Sequence, residues 1–466
     1  MSVNDIKRRE FLRRSGMMGG MLAGAAPWAL NLAAIGEAAA QTANDYKAVV
    51  CIFLQGGNDY GNTLIPYDNA NYNAYAAIRQ KLAYRQSDLS ATVLNPANSL
   101  PDGRQMALAP ALAALKPIFD AGNLGIIANI GTLIVPTTLA QYKAQSVPLP
   151  PKLFSHNDQQ SFWQAGRPEG AGSGWGGRMG DLMLSGNGGS LFTAMSISGN
   201  SLYLSGNQVS QYAVSTQGAF SMRALEGNLY GSTRASAALR SLITQSRPHQ
   251  LENAYVKVTN RSLAGNAVLK SVLDPNGSLP FTTVFEAANP LAQQLKQVAR
   301  LIANRGQLGA KRQVFFVSMG GFDTHDNLAA AHPVLLRQTA SAMASFHAAM
   351  KELNLNDAVT SFTASDFGRT LAVNEDGSDH GWGSHHFIMG GAVNGRQIHG
   401  KLPAVAVNGP DDVGQGRLLP TTSVDQLGAA IATWFGVSAS NLGTVLPNAR
   451  NFDLNALRLF KTATRV

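Results

Sequence analysis

The stretch Asp357-Ala-Val-Thr-Ser-Phe-Thr-Ala364, followed by Ser365-Asp366-Phe367-Gly368-Arg369-Thr370, joins a strand signal to reactive side chains. Its first part is apolar and β-branched, which is typical of a buried strand. Its second part opens a Gly-rich loop that runs to His386 and carries further aspartates and histidines. Sheets of the α/β class bind ligands at the carboxyl ends of their strands. We therefore predict that this loop is the centre of the functional site.

Two more apolar runs end in Gly-rich loops that carry a carboxylate. Residues 48–54 are followed by Asp59, and residues 313–318 are followed by Asp323. Another apolar run, 124–130, comes after a helical segment, and this strand–helix–strand order predicts a right-handed crossover. The sequence therefore predicts an α/β fold with a mostly parallel sheet, whose strand ends meet at one edge.

Helical patterns fill most of the remaining chain. Ser155 is placed to cap a helix that ends near Gly166, and a long amphipathic helix is expected over about 329–353. Residues 221–304 are mostly helical and poor in strands. We interpret roughly 190–310 as a helical insertion or a cap over the sheet.

The converging loops predict a metal site. Aspartate and histidine ligands together suit Zn²⁺, Mn²⁺ or a related divalent ion such as Mg²⁺ or Ca²⁺. The candidate ligands are Asp59, Asp323, His325, Asp366, Asp379, His380 and His386.

Some of these assignments have alternatives. His325 could instead cap the following helix, and Asp379 could orient His380 rather than bind metal. His385 and His386 are adjacent, so on an extended segment their side chains point to opposite sides and one of them is expected to enter the site.

Three residues are candidates for catalysis itself. Ser155, at a helix N-terminus, could be a nucleophile, because the free N–H groups and the positive end of the dipole favour an attacking oxyanion. The alternative is a capping serine, and His156 lies in the same turn. Arg369 is a natural clamp for an anionic oxygen, and its alternative is a structural ion pair.

The N-terminus predicts export. Lys7-Arg8-Arg9-Glu10-Phe11-Leu12-Arg13-Arg14 is a twin-arginine pattern, followed by a weakly apolar run and a small-residue cleavage site. Pro27 and Asn31 interrupt that run, which favours a cleavable signal over 1–40 rather than a membrane anchor. The mature domain would then span 41–466 in the periplasm or outside the cell, with the twin-arginine export machinery as its partner.

Composition narrows the functions further. Loss of residues 1–40 lowers the formal net charge from +9 to +7, and the remaining charges form no basic run. Nucleic-acid binding therefore has no support. The single cysteine, Cys51, excludes an internal disulfide, and its apolar surroundings indicate a buried thiol.

Taken in order, the motifs resemble a large family of exported bacterial proteins of unknown function, which looks like a branch of the alkaline phosphatase–sulfatase-like superfamily. The motifs that carry this resemblance are the twin-arginine leader, Phe-Leu-Gln-Gly-Gly-Asn-Asp (53–59), Ser-His-Asn-Asp-Gln-Gln (155–160), Gly-Gly-Phe-Asp-Thr-His (320–325), Ser-Asp-Phe-Gly-Arg-Thr (365–370), Asp-His-Gly-Trp-Gly (379–383) and Pro-Thr-Thr-Ser-Val-Asp-Gln (420–426).

The resemblance implies a three-layer fold, with a mixed sheet between helices and one or two divalent metals held by Asp and His. By motif position, Asp59 matches the first-strand ligand and Ser155 the nucleophile that attacks a phosphate or sulfate ester. Asp323 with His325 looks like the next ligand pair, and Asp366 like the carboxylate of an Asp-His pair. This chain departs from the superfamily at that pair, because Phe367 stands where a histidine is usual.

These observations lead to one main functional hypothesis, an exported metal-dependent hydrolase of phosphate or sulfate esters that uses a serine nucleophile on a small anionic or glycan-type substrate. One alternative is a non-catalytic exported binding or assembly protein on a degenerate sulfatase-like fold. Another is a metal-free serine hydrolase, although the chain lacks a Gly-x-Ser-x-Gly elbow.

Overall fold

The structure is a computed structural model that describes residues 46–220, 223–273 and 278–462. The leader expected over 1–40 lies outside the described residues. The strands are β1 Lys47–Leu54, β2 Leu64–Pro66, β3 Met106–Leu108, β4 Leu124–Gly131, β5 Ala194–Ser196, β6 Tyr212–Ala213, β7 Arg312–Met319, β8 Val359–Ser365, β9 Ser384–Met389, β10 Ile398–His399 and β11 Thr422–Ser423. The α-helices are α1 Asn69–Arg79, α2 Lys116–Asp120, α3 Leu139–Ala144, α4 His156–Ala165, α5 Trp175–Met183, α6 Arg223–Glu226, α7 Thr233–Thr244, α8 Gln250–Val272, α9 Pro290–Ala303, α10 Leu328–Glu352, α11 Val424–Phe435 and α12 Leu442–Val445.

The main sheet of the described residues has the order β10-β4-β9-β8-β1-β7-β5-β6, with β11 also paired to β4. Strand β1 runs parallel to β7 on one side and to β8 on the other. Strand β9 is antiparallel to both β4 and β8. The prediction of an α/β fold with a mostly parallel sheet is therefore confirmed.

Helices cover both faces of this sheet. Ile52 of β1 lies in a buried cluster with Leu295 of α9, on one face. Its neighbour Cys51 lies in a second cluster with Met179 of α5 and Ile431 of α11, on the other face. Successive strand residues point to opposite faces, so the continuous apolar run of β1 is needed to fill both clusters. The Cys51 thiol is buried as expected, and burial raises its pKa.

The carboxyl ends of three strands meet at one edge of the sheet. Leu54, the last residue of β1, pairs with Met319 of β7 and with Ser365 of β8. The loop after β1 then turns against the loop after β7 at Gly56, where φ is +117° and a Cβ atom would lie 2.3 Å from the Asp323 backbone nitrogen. Only glycine fits so close an approach at a positive φ.

Other segments differ from the sequence-based expectations. The helical segment expected before residues 124–130 is a 3₁₀ segment, Pro110–Leu115, followed by the short α2. Strand β9 holds the adjacent histidines and was not predicted as a strand. In the 190–310 segment, β5 and β6 extend the sheet, while α7 packs mainly on α6 and α8. Within the described ranges, no helix has both the length and the apolar character that a membrane span requires.

Candidate metal centre

A cluster of two histidines and one aspartate lies at the edge where β1, β7 and β8 end. One ligand atom from each of His156, Asp323 and His380 lies within 4.8 Å of the other two. His156 is the first residue of α4, and Asp323 and His380 lie in the loops after β7 and β8. The fold thus gathers residues that are far apart in sequence around one point.

His156 bridges two carboxylates. Its Nδ1 lies 2.6 Å from Asp366 Oδ2, and its Nε2 lies 3.4 Å from Asp323 Oδ2. The hydrogen bond to Asp366 raises the pKa of His156, and the nearby Asp323 acts in the same direction. The position between two carboxylates therefore favours a positive charge at or beside this imidazole.

His380 is oriented by the backbone. Its Nδ1 lies 2.8 Å from the carbonyl oxygen of Phe154, and its Nε2 lies 3.2 Å from Asp323 Oδ1. A carbonyl oxygen only accepts hydrogen bonds, so Nδ1 carries the proton. Partial burial lowers the pKa of His380, which favours the neutral imidazole with a lone pair on Nε2.

A third histidine, His325, contacts both His380 and Asp323. Its Nε2 lies 2.9 Å from His380 Nε2 and 3.1 Å from Asp323 Oδ1. Its Nδ1 lies 3.3 Å from Asp379 Oδ1, which also accepts a 2.6 Å hydrogen bond from the Asn374 amide. Asp379 was expected to bind metal or to orient His380. It lies instead beside His325, and the Phe154 carbonyl holds His380 Nδ1.

The three histidines share one arrangement. In each, Nδ1 faces an oxygen that only accepts hydrogen bonds, and Nε2 points toward Asp323. Metal-binding histidines commonly have this arrangement, because the outer hydrogen bond fixes the tautomer and turns the lone pair to the ion. Lone pairs that face a carboxylate need a proton or a cation between them. The donor set therefore fits a divalent metal.

Arg369 holds Asp323 in place through a buried guanidinium group. It is fully buried, and its Nη1 donates to Asp323 Oδ1 at 2.8 Å and to the Gly56 carbonyl at 3.0 Å. Its Nε and Nη2 donate to the Ser378 carbonyl. Against the effect of partial burial, the Arg369 hydrogen bond lowers the pKa of Asp323. The guanidinium nitrogens of Arg369 already donate to protein acceptors. Arg369 therefore forms a structural ion pair with Asp323, which was the alternative to binding an anionic oxygen of a substrate.

Asp366 has one oxygen in use and one free. Its Oδ2 faces His156 and accepts a hydrogen bond of 2.9 Å from Gln160, whereas its Oδ1 is buried with no hydrogen-bond partner. A buried carboxylate oxygen without a donor is costly unless a cation or water fills the gap. This orphaned oxygen is a second sign that the pocket is built for a cation.

Asp59 does not join the group. It is completely buried and forms an ion pair with Arg79 of α1 through Oδ2. Its Oδ1 accepts a 3.2 Å hydrogen bond from the Gly61 backbone nitrogen. The expected first-strand ligand is therefore engaged on the far side of its loop, where a guanidinium already balances its charge.

His386 and His385 also stay away from the centre. They lie on β9 and point to opposite sides, as expected for adjacent strand residues, but neither reaches Asp323. His386 packs against Trp163, with Nδ1 3.2 Å from the Thr363 hydroxyl, and His385 packs against Tyr60. Of the histidines in this loop, only His380 reaches the cluster.

Ser155 is the N-cap residue of α4, as predicted, and its hydroxyl donates to Asp158 Oδ2 at 2.9 Å. It makes no side-chain hydrogen bond to the helix N–H groups. The Ser155 hydroxyl therefore does not cap the helix. It is engaged with a carboxylate instead.

Sequence reasoning missed two residues of the centre. Gln160 follows His156 by one helical turn, so both face Asp366, and that i, i+4 spacing was available as a signal. Phe367 packs its ring 4.9 Å from the His156 ring and 4.7 Å from the His380 ring. The Phe367 side chain therefore packs against two of the three histidines of the cluster.

Comparison with solved structures gives distant likenesses. Ps i-CgsB in complex with k-i-k-neocarrahexaose is 10% identical over 86% of this chain and 74% of that one, with a TM-score of 0.35. The C-terminal periplasmic domain of EcEptC from Escherichia coli is 12% identical over 89% of both chains, with a TM-score of 0.34. The PsFucS1 sulfatase from Pseudoalteromonas sp. is 9% identical over 88% of this chain and 71% of that one, with a TM-score of 0.33.

Sequence comparison identifies the family. None of the curated proteins matches the chain. The family model described as "Protein of unknown function (DUF1501)" matches residues 46–441, from the start of β1 to the beginning of α12. The chain therefore belongs to the DUF1501 family.

Proposed function

We propose that this protein is an exported metal-dependent hydrolase of phosphate or sulfate esters. The observation that carries the proposal is the shared arrangement of His156, His325 and His380, whose Nε2 atoms converge on Asp323 while each Nδ1 is held by an oxygen. His156, Asp323 and His380 would hold the ion, with His325 beside them. An imidazole-rich set of this kind suits zinc best.

The surrounding residues position the proposed ligands. Asp366 and Gln160 fix His156 from one side, and Arg369 fixes Asp323 from another. A divalent ion held there would stabilise the negative charge that develops on an ester oxygen. The protein residues would supply a rigid, partly buried frame, so that no reorganisation is needed during the reaction.

Ser155 is the proposed nucleophile. Its Oγ–H donates to Asp158, a nearly fully buried carboxylate in the first turn of α4. Asp158 can therefore accept the proton as Oγ bonds to the phosphorus or sulfur atom and the bond to the alcohol oxygen of the ester breaks, so that the alcohol leaves. The free N–H groups at the start of α4 favour the negative charge of an anionic ester. Ser155 and His156 are consecutive, which places the proposed nucleophile next to a proposed ligand.

A cleft of about 380 Å³ runs along α4 beside the centre and suits the rest of a substrate. Most of its lining is amide or hydroxyl, contributed by residues that include Gln55, Asn157, Gln160, Ser198 and Asn200. Such groups pair with sugar hydroxyls, and the cleft therefore favours a glycan-type substrate over a strongly charged one.

The decisive experiment measures metal and activity in the same preparations. The purified full chain is analysed for divalent metals and assayed with p-nitrophenyl phosphate and p-nitrophenyl sulfate. Asp323→Asn and His380→Gln are compared with His249→Gln, which alters an exposed histidine outside the cluster. The proposal expects about one metal per chain in the wild type and in His249→Gln. It expects loss of both metal and hydrolysis in the other two variants.

Two outcomes would contradict the proposal in different ways. Wild-type protein without metal would remove the centre itself. Metal that is bound, and lost on Asp323→Asn, but with no hydrolysis of either ester by any preparation, would favour the non-catalytic binding protein.

A further inference from the structure

A largely exposed basic segment, which we call the basic arm, follows the short helix α6. We define it as residues 233–261, which comprise α7 and the first half of α8. The second half of α8 anchors it, because Leu269 and Val272 lie in the main buried cluster. Of α7, only Ser236 is buried. The arm therefore leaves most of its own surface to solvent.

Apolar side chains form a stripe along this arm. Leu251, Tyr255 and Val258 on α8 are 76%, 63% and 67% exposed, and their spacing of four and three residues puts them on one face of the helix. Leu242 of α7, 60% exposed, joins Leu251 and Tyr255 around an open groove of about 570 Å³. Arg247 and Glu252 also line the groove. An exposed apolar stripe of this length favours a binding surface.

The charge of the arm has one sign. It contains five basic residues, Arg234, Arg240, Arg247, Lys257 and Arg261, and a single acidic one, Glu252. Within the described part of the chain, no carboxylate pairs with any of the five basic side chains at ion-pair distance. On α8, Lys257 and Arg261 follow the apolar stripe on one side, where their long side chains can extend past it.

We propose that the basic arm binds the surface of an anionic phospholipid membrane. A helix with an apolar stripe beside Lys and Arg lies in the interface, with the stripe among the acyl chains and the cations at the headgroups. A second copy of the chain is a poor partner, because two arms packed stripe to stripe would bring together two surfaces of like charge. A nucleic acid would use the cations but not the stripe.

The test uses vesicles and the full chain. Co-sedimentation is measured with vesicles of equimolar phosphatidylglycerol and phosphatidylcholine, and with phosphatidylcholine alone. The apolar variant is Leu251→Ser with Tyr255→Ser, and the charge variant is Lys257→Gln with Arg261→Gln. The control is Val284→Ser, which replaces a side chain that is 82% exposed outside the arm.

The proposal expects binding to the anionic vesicles only, and weaker binding as salt is raised. The apolar variant should bind at least about tenfold more weakly. The vesicle affinity of the charge variant should fall about fivefold for each cation removed. The control should bind as the wild type does. All four substituted side chains are exposed, and unchanged melting temperatures would show that the fold is intact.

Equal binding of the wild type and the apolar variant would overturn the proposal, as would no binding to anionic vesicles. Loss of a dimer in the apolar variant, seen by light scattering without vesicle binding, would instead assign the stripe to a second copy. None of these outcomes depends on metal or on hydrolysis.

Discussion

His156 and Asp366 are joined by a contact of 2.6 Å between Nδ1 and Oδ2, although 210 residues separate them in the chain. The contact sets which imidazole nitrogen faces Asp323, and so it determines whether the centre presents a lone pair or a proton. The arrangement of the candidate metal site therefore depends on Asp366 through this contact with His156.

Asp366→Asn tests this dependence. An asparagine amide can turn its N–H toward Nδ1 and favour the wrong tautomer of His156, while the side chain keeps its size. We expect the metal affinity to fall about 10- to 100-fold, as measured by competition with a chelator. Asp120→Asn, in an exposed pair with Lys116, should leave the affinity unchanged. An affinity equal to that of the wild type in Asp366→Asn would show that the contact does not orient a ligand.

Ser155→Ala distinguishes a serine nucleophile from a serine that only positions the helix. If Ser155 attacks the ester, hydrolysis should fall about 10³-fold or more, while metal content stays the same. Asp158→Asn should slow the reaction as well, and less so at high pH, because the hydroxyl loses its proton acceptor. A loss of only a few-fold in Ser155→Ala, with metal intact, would remove Ser155 from the mechanism.

The Asp59–Arg79 pair should govern stability and not metal binding. Both side chains are fully buried, so Arg79→Met would leave a carboxylate without its counter-charge and cost about 3 to 5 kcal/mol in the free energy of unfolding. The double variant with Asp59→Asn should recover much of that loss. The metal content of Asp59→Asn should equal that of the wild type. Loss of metal in this variant would identify Asp59 as a ligand after all.

Stability should fall in acid because several histidines are buried in their neutral form, and His385 and His386 have the lowest pKa values among them. Burial lowers the pKa of His385 and of His386 to about 3, against about 6.5 in the unfolded chain. Between these values the unfolded state binds more protons, so the stabilising effect is complete above pH 6.5 and declines as the pH falls. Each such histidine contributes a slope of up to about 1.4 kcal/mol per pH unit.

Denaturant unfolding at several pH values measures that slope. His386→Gln should flatten the dependence between about pH 4 and 6. His249→Gln, at an exposed position, should leave it unchanged. Equal slopes for the wild type and His386→Gln would show that the imidazole takes up a proton within the fold.

The sequence predicted the parts of the fold that depend on local patterns. The continuous apolar runs of β1, β4, β7 and β8 indicated buried strands, and Ser155 and Gly166 marked the two ends of α4. Strand β9 escaped detection because its residues, Ser384–Met389, mix histidines with apolar side chains and lack a clear period. Its antiparallel direction depends on packing between β4 and β8, which no local pattern reports.

The site was predictable in its location but not in its membership. The sequence predicted that Asp323 and Asp366 lie at one edge of the sheet, because each follows a strand and parallel strands align their carboxyl ends. It could not show that Asp59 would turn toward Arg79, since that partner lies on a helix and pairs through the fold. Nor could it show that His156 would meet Asp366, because 210 residues separate the two in the chain.

The pairing of β1 has a consequence for biosynthesis. Its two neighbours, β7 and β8, begin at Arg312 and Val359, so β1 is synthesised long before either strand that pairs with it. At ordinary translation rates that interval is about 15 to 60 s. Throughout that interval both edges of β1 lack their native partners, and we expect the nascent chain to be prone to pairing with other chains.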